Sequence, residues 1–268
     1  MFPLYWIVTG SVKEKGDILL KAGQAIQWVP RTTTGANYEK LLSNQVNWKL
    51  LGSSFRVPAA IKWLYNSVFI SVMAMLLTCV TASLAGYVLA KKSFYGKAIV
   101  FGLFVCAMAL PKQVILIPLV TLAKTLGLSE SVWSVIFPVV GWPFGVFLMK
   151  QFSETIPTSL LEAARIDGAG ELRTFWDVVV PIIKPGIGAL AIFTFINAWN
   201  EYPLQLVMLH KTEVKTIALG IAGLQAEMST DYGLIMAGAA LGAIPIIIVF
   251  LVFQKYFTQG VTMGAVKG

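Results

Sequence analysis

The chain has 268 residues, of which 57% are hydrophobic and 13% are charged, and its mean hydropathy is +0.74. Because soluble domains carry about 25% charged residues, this composition excludes disorder and favours one multi-span membrane domain over residues 1–268. The net charge of +8 is interpreted as basic cytoplasmic loops and not as a nucleic-acid-binding surface. Cys79 and Cys106 lie in apolar runs and His210 is the single histidine, so neither a disulfide framework nor a histidine metal cluster is expected.

The chain begins with an apolar stretch and continues with a polar one. Residues 1–10 are apolar but too few to cross a bilayer, which requires ~20 residues. We therefore expect them to be the outer end of a first span that begins upstream. Residues 11–62 are polar and lack a long periodic pattern, which predicts an extracytoplasmic loop.

Five apolar runs predict full membrane spans within the core, residues 63–257, and an all-α helical bundle. The first run, 63–90, contains no charged residue. The second, 98–123, is interrupted by Pro111 and Lys112, which predicts a broken or kinked helix. The others are 131–149, 187–209 and 232–253. Ala82, Gly86 and Ala90 recur every four residues in the first run, a spacing that allows close helix approach.

The distribution of basic residues predicts the orientation in the membrane. Lys91, Lys92 and Lys97 crowd the loop after the first full span, and four more basic residues lie in 150–184. The positive-inside rule therefore places 91–97, 150–186 and the C-terminus in the cytoplasm. The loop 11–62 departs from this rule with eight basic residues, although its length weakens the rule.

The segment 157–185 is too polar to span the membrane, and its pattern predicts two short helices joined by a glycine turn. Ser159 and Glu162 fit a capping box for a helix over 160–167. Gly168 suits the left-handed conformation that ends a helix. A second amphipathic helix, 171–180, is expected to stop at Pro181.

This helical pair is predicted to expose Ala163 and Ala164, whose small side chains suit insertion into a groove of a partner. The alternative is an amphipathic helix that lies at the membrane interface without a partner. The spacing alone leaves both interpretations open.

Four polar residues recur at helical spacing within the predicted span 187–209. They are Asn197, Asn200, Glu201 and Gln205. Polar side chains at membrane depth face a cavity or another helix, so we expect them either to line a pathway or gate or to form hydrogen bonds between subunits. Glu201 is the only acid in a predicted span, and Lys112 could pair with it or extend to an interface.

The pattern Glu162-Ala163-Ala164, Gly168 and Val178-x-Val180-Pro181 resembles the EAA loop of ABC-importer permeases, with valines where the family usually has Ile and Leu. The run EAARIDGAGELRTFW is similar to the carbohydrate-uptake branch, and specifically to the smaller, maltose-type permease. Five further stretches agree with this resemblance: Asn66-Ser67, Ala85-Gly86-Tyr87, 110–119, 199–202 and 264–268.

The resemblance implies a permease subunit in a prokaryotic inner membrane, with six spans in the family and a cytoplasmic C-terminus. It also implies four kinds of partner: a second permease of different sequence, a dimer of ATPase subunits that bind ATP and Mg, an extracytoplasmic solute-binding protein, and a sugar, with an oligosaccharide favoured. The chain has no P-loop, so we expect no cofactor, metal or catalytic residue on it.

The same resemblance assigns roles to segments of the chain. The EAA loop, with Glu162, Ala163, Ala164, Asp167, Gly168 and Pro181, is expected to couple to the ATPase. Glu162 and Asp167 are candidates for polar contacts with it, and helix capping is the alternative for Glu162. The tail 258–268 is expected to contact the ATPase dimer, and the outer loop 210–231 the binding protein.

Four other functions were weighed against this interpretation. A secondary transporter usually has internal repeats and buried coupling residues in several spans, and one buried acid is a poor match. A membrane enzyme needs a nucleophile, metal or acid–base set, for which one histidine offers little. A structural membrane subunit and an ABC importer for a solute other than a sugar remain open.

Overall fold

The computed structural model describes residues 2–18, 28–50, 53–227 and 231–265. The chain divides into two compact units. The first unit comprises Met1–Phe69, Gly127–Val132 and Asn200–Ile248, and the second comprises Ile70–Leu126, Trp133–Trp199 and Val249–Gly268.

The described residues form fourteen α-helices, a two-stranded sheet and two short helical segments of other types. The N-terminal part contains α1 (Phe2–Ser11), α2 (Lys15–Ile18), α3 (Ala36–Ser43), β1 (Gln45–Leu50), β2 (Ser53–Pro58) and α4 (Ala59–Lys91). The central part contains α5 (Lys97–Met108), a 3₁₀ helix (Lys112–Ile115), α6 (Leu116–Thr125), α7 (Trp133–Val140), α8 (Phe144–Glu154) and α9 (Thr158–Ile166). The C-terminal part contains α10 (Glu171–Thr174), a π-helix (Phe175–Val179), α11 (Val180–Trp199), α12 (Tyr202–Met208), α13 (Ile217–Glu227) and α14 (Tyr232–Ala265).

Among the described residues, four helical stretches are long and apolar enough to cross a membrane: Ala59–Lys91, Trp133–Glu154, Glu171–Trp199 and Tyr232–Gln254. A fifth span results if the pair Lys97–Met108 and Lys112–Thr125, bent by 98°, is counted as one. The predicted spans 63–90 and 232–253 are therefore confirmed as helices and are longer than expected. The predicted break at Pro111 and Lys112 is also confirmed.

The predicted span 187–209 is wrong at both ends. Its helix begins upstream of residue 187 and ends at Trp199, and α12 is a separate helix. The cause is Pro203, which lies at the start of α12. Within a continuous helix the proline ring would collide with the carbonyl of the residue four positions earlier, which is Trp199. The sequence contained this signal, and the long apolar run obscured it.

The loop predicted over 11–62 contains regular structure in the first unit. It contains α2, α3 and a hairpin of β1 and β2. The two strands pair antiparallel, with Gln45 opposite Pro58 and Leu50 opposite Ser53. The strand alternation places Val46 and Trp48 on one face, and the Trp48 ring lies 4.7 Å from that of Tyr65 on α4. The prediction of an unpatterned loop therefore missed a short hairpin, although polar and apolar residues alternate throughout Gln45–Leu50, a pattern that is typical of a strand.

Hydrogen bonds from the beginning of α4 fix the segment that precedes α13 in the first unit. The indole of Trp63 donates to the carbonyl of Thr212 (2.8 Å), and the amide of Asn66 donates to the carbonyls of Glu213 and Lys215 (2.9 Å each). Gly220 on α13 lies against the Trp63 ring, where a Cβ atom would approach to 2.0 Å. The predicted loop 210–231 is therefore an ordered segment over its described part.

A cluster of buried apolar side chains forms the core of the second unit. Its members come from α4, α8, α9, α11 and the segments joining them: Ala82, Tyr87, Met149, Ile156, Leu161, Phe175, Val179, Ile183 and Leu190. Gly86 allows α4 to approach the backbone of α8 closely, since a Cβ atom there would lie 2.6 Å from the backbone nitrogen of Lys150. This contact confirms that the small residues of α4 permit close helix packing.

Candidate functional site

The candidate site is the segment that contains α9 and α10 in the second unit. Pro157 precedes α9 with extended backbone angles (φ −61°, ψ 132°), and no side chain caps the helix. The predicted capping box is therefore wrong. Ser159 already lies inside the first turn, whereas an N-cap residue has non-helical angles.

The turn after α9 confirms the prediction for Gly168, which has φ +77°. The N–H of Ala169 donates to the carbonyl of Ala164 (2.9 Å), and the N–H of Gly168 donates to the carbonyl of Arg165 (3.0 Å). These two bonds form a Schellman motif, which satisfies the last carbonyls of α9. A residue with a Cβ atom is strained at this φ, so the glycine defines how α9 connects to α10.

The second predicted helix does not stop at Pro181. The chain passes from α10 through the π-helix into α11, and Pro181 is the second residue of α11. The N–H of Val180 donates to the carbonyl of Phe175, five residues earlier. This wider turn shifts the helical bonding pattern just before Pro181, so the chain continues despite the missing proline N–H.

The two short helices have one buried and one exposed face. Leu161 and Ala164 of α9 are buried, and Leu161 belongs to the second-unit core. The prediction that Ala164 is exposed is therefore wrong, whereas Ala163 is exposed. The exposed apolar side chains, called here the α9–α10 patch, are Leu160 (44% exposed), Ala163, Ile166 (86%), Leu172 (71%) and Trp176 (52%).

Some of the charged side chains of α9, α10 and the turn between them form ion pairs, and others do not. Glu171 forms ion pairs with Lys92 and, at 3.4 Å, with Arg165. Within the part of the chain that the structure describes, the carboxylates of Glu162 and Asp167 have neither a hydrogen-bond nor an ion-pair partner, and both are exposed. Glu162 therefore does not cap α9.

Lys91, the last residue of α4, ties that helix to the segment before α9. Its Nζ atom donates to the carbonyls of Glu154 (3.0 Å) and Ile156 (2.6 Å). The carbonyls at the end of α8 thus bind the ammonium group at the end of α4. The segment that leads from α8 into α9 is therefore attached to α4 by polar bonds as well as by the apolar core.

The four polar residues predicted along 187–209 do not share one helical face, because the helix ends between them. Asn197 lies on α11, and Asn200 and Glu201 lie in the break after Trp199. Gln205 on α12 is buried and accepts a hydrogen bond of 2.6 Å from the hydroxyl of Thr216. Their common spacing in the sequence therefore has no structural counterpart.

Sequence reasoning missed the apolar members of the α9–α10 patch. Ile166 and Leu172 are apolar residues on either side of the glycine turn, inside a polar segment. That isolated position could have marked them as candidates for contact with a partner. It also missed Trp142, whose ring lies 4.7 Å from Nζ of Lys112. Nothing in the sequence indicated that pair, because the two residues are distant along the chain.

Comparisons with known proteins agree on one family. Residues 82–263 match the family described as the binding-protein-dependent transport system inner membrane component. The permease protein AraQ of the Bacillus subtilis arabinooligosaccharides transport system is 33% identical over 100% of this chain and 91% of its own length. The permease protein MalG of the Thermococcus litoralis trehalose/maltose transport system is 30% identical over 100% of this chain and 92% of its own length.

A solved structure supports the same fold. A bacterial ABC transporter involved in the import of the acidic polysaccharide alginate contains a chain that matches 96% of this chain and 90% of its own length. The TM-score is 0.79 and the sequence identity 21%. At this identity the likeness establishes the fold and not the solute.

Proposed function

The chain belongs to the family of binding-protein-dependent transport system inner membrane components, and we propose that it is one permease subunit of an ATP-driven importer for oligosaccharides. AraQ belongs to an arabinooligosaccharides transport system and MalG to a trehalose/maltose transport system, and the similarity to both extends over the whole chain. This similarity supports a sugar over another solute and a permease over a secondary transporter.

The α9–α10 patch is the single observation on which the coupling role rests. An exposed apolar group on a segment that does not span the membrane indicates a site for a partner. We assign that partner as the ATPase subunit, with Ala163 and Ile166 entering its groove. Glu162 and Asp167, whose carboxylates are exposed at the edge of the patch, would bind polar groups of the ATPase around this contact.

The packing of α9 on the second-unit core provides the physical connection between the ATPase and the membrane spans. Leu161 and Phe175 belong to the same buried cluster as Tyr87 of α4 and Met149 of α8. Because packed interiors resist deformation, a displacement of α9 by the ATPase is expected to move these helices together. This motion would shift the spans between inward-facing and outward-facing states. Pro181, at the start of α11, lies where the π-helix permits bending.

The proposed orientation places the patch in the cytoplasm. Lys91, Lys92 and Lys97 lie at the end of α4 and the start of α5, and Lys92 forms an ion pair with Glu171 of α10. The positive-inside rule assigns such loops to the cytoplasm. The same assignment places the C-terminus in the cytoplasm of a prokaryotic cell. Helix α14 continues to Ala265, and the rest of the predicted tail 258–268 lies outside the described residues.

The other partners follow from the family and complete the proposed complex. A second permease would form the other half of the pathway, an extracytoplasmic binding protein would deliver the sugar, and ATP with Mg would bind the ATPase subunits. Asn197 is proposed to line the pathway. For Asn200, Glu201 and Gln205 a pathway role stays a prediction, and burial of Gln205 beside Thr216 favours a structural role for that residue.

The experiment reconstitutes this chain, its neighbouring permease, ATPase and binding protein in liposomes and measures uptake of arabinotriose, raffinose and maltotriose. ATP-dependent uptake of at least one sugar is expected, and uptake of none would contradict the sugar assignment. The variant Ile166→Asp is expected to abolish stimulated ATP hydrolysis, because it adds a charge to the apolar contact. Tyr95→Asp is the matched control, since Tyr95 is also exposed and lies outside the patch.

A further inference from the structure

Three interruptions of helices occur in the second unit, and side chains beside them meet. Helix α5 ends at Met108 and is followed by the short 3₁₀ helix that begins at Lys112. Residues 141–143 separate α7 from α8, and α11 ends at Trp199. Each interruption leaves backbone N–H or C=O groups without their helical partners.

The proposed orientation puts two of these interruptions inside the bilayer. Helix α5 has 12 residues and α8 has 11, so at 1.5 Å per residue each extends about 18 Å or less, well short of the ~30 Å hydrocarbon core. The two helices pack side by side, with the rings of Phe101 and Phe147 stacked at 6.3 Å. With the Lys97 end of α5 and the Lys150 end of α8 placed at the cytoplasmic surface, the interruptions at the opposite ends of these helices fall about midway through the bilayer.

Lys112, Trp142 and Asn197 converge beside these interruptions. The Nζ atom of Lys112 donates to Oδ1 of Asn197 at 3.0 Å and lies 4.7 Å from the centroid of the Trp142 ring. All three side chains are half-buried. An ionisable residue at this depth is costly and is normally retained for function, and irregular backbone at this depth is tolerated where it lines a cavity.

We propose that Lys112, Trp142 and Asn197 form a contact site for the hydroxyl groups of the transported saccharide. The proposal rests on the function proposed above and adds a substrate contact on this subunit. An ammonium group offers three donors, and an amide offers both donors and an acceptor, which matches the hydroxyl-rich surface of a sugar. The Trp142 ring adds an apolar surface, and the charge of Lys112 disfavours cationic amino sugars relative to neutral or acidic ones.

The competing interpretation is that Lys112 only fastens the bent span to α11. A fastening role predicts that loss of the side chain impairs assembly and ATP hydrolysis together with transport. A substrate contact predicts a change in the KM for sugar and in sugar preference, while binding-protein-stimulated ATP hydrolysis is retained. The two interpretations therefore differ in a measurable way.

The first part of the test compares Lys112→Met with Lys124→Met in the reconstituted transporter. Lys124 is the matched control because it is an exposed lysine of the same bent pair. For the sugar of the panel with the highest uptake, Lys112→Met should raise KM about tenfold, as expected for loss of a charge-assisted hydrogen bond, and Lys124→Met should not. An unchanged KM, or a parallel loss of ATP hydrolysis and transport, would overturn the proposal.

The second part does not depend on knowing the sugar. In a background in which Cys79 and Cys106 are replaced by serine, K112C and the control K124C are treated with a hydrophilic methanethiosulfonate reagent. The thiol at position 112 should react, and any transported sugar should slow only that reaction. Failure of position 112 to react would overturn the inference even if sugar uptake is observed. A reaction at position 112 without uptake of any panel sugar would contradict only the proposed function.

Discussion

Replacement of Gly168 tests whether the turn between α9 and α10 sets the position of the coupling surface. Gly168 has φ +77°, and an added Cβ atom would have no neighbour within 4 Å. The cost of Gly168→Ala is therefore conformational and not steric, about 1–2 kcal/mol for a residue with a Cβ atom in the left-handed region. If the turn relaxes in the unbound protein, the ATPase must restore it on binding.

This cost should weaken binding of the ATPase subunit by a factor of about 5–30. The assay titrates purified ATPase subunit into the permease pair in nanodiscs and records stimulated ATP hydrolysis. The control is Gly170→Ala, since Gly170 has φ −68° and also has open space around its Cβ position. Gly168→Asn should be milder than Gly168→Ala, because Asn tolerates the left-handed region. Equal titration curves for Gly168→Ala and Gly170→Ala would show that the left-handed turn does not set the position of the contact surface.

Two further predictions concern stability. Gly86→Ala should destabilise the second unit, because its Cβ atom would lie 2.6 Å from the backbone nitrogen of Lys150. Gly102→Ala is the control, since a Cβ atom at position 102 would meet open space. The melting temperature in detergent should fall only for Gly86→Ala, and an equal fall for both variants would contradict this prediction. The hydrogen bond from Lys40 (2.6 Å) holds the pKa of Asp231 below its usual range despite burial. The stabilisation from this pair should be complete above about pH 4 and disappear as the pH falls through the lowered pKa. Asp231→Asn should remove this part of the pH dependence of the melting temperature, and an unchanged profile would count against the pair.

The spans were predictable because a bilayer imposes a length and an apolar composition on each helix. The charge-free run 63–90 required a helix, and α4 (Ala59–Lys91) is that helix with about four more residues at its start and one at its end. The break after residue 108 followed from Pro111 and Lys112. These predictions depend on local composition, which the sequence displays directly.

The wrong helix ends were predicted at prolines, where the tendency of proline to end a helix and the apolar character of the surrounding run gave opposite indications. Pro203 ends the helix at Trp199, although the run 187–209 in which it lies carries a single charged residue, Glu201. At Pro181 the reverse happened, since a π-helix let the chain continue where a proline was expected to stop it. The short hairpin was missed because its alternating strand pattern lies inside a segment that was interpreted as one polar loop.

The glycine turn of the candidate site could be predicted from the sequence, but the side-chain contacts around it could not. The left-handed angle of Gly168 followed from the residue type, and the EAA resemblance identified the segment. Which alanine is buried depends on the rotation of α9 against the second-unit core, and that rotation is set by tertiary packing. The proximity of Lys112 to Trp142 and Asn197 likewise depends on helix placement that no local pattern encodes.

Coupling of this permease to an ATPase is best tested by native mass spectrometry of the complex, purified in mild detergent with its neighbours co-expressed. We expect an assembly with one copy of this chain, one second permease and two ATPase subunits. Ile166→Asp should release the ATPase subunits, and Tyr95→Asp should retain them. Recovery of the unmodified chain alone, or as a homodimer without ATPase, would rule out the proposed coupling.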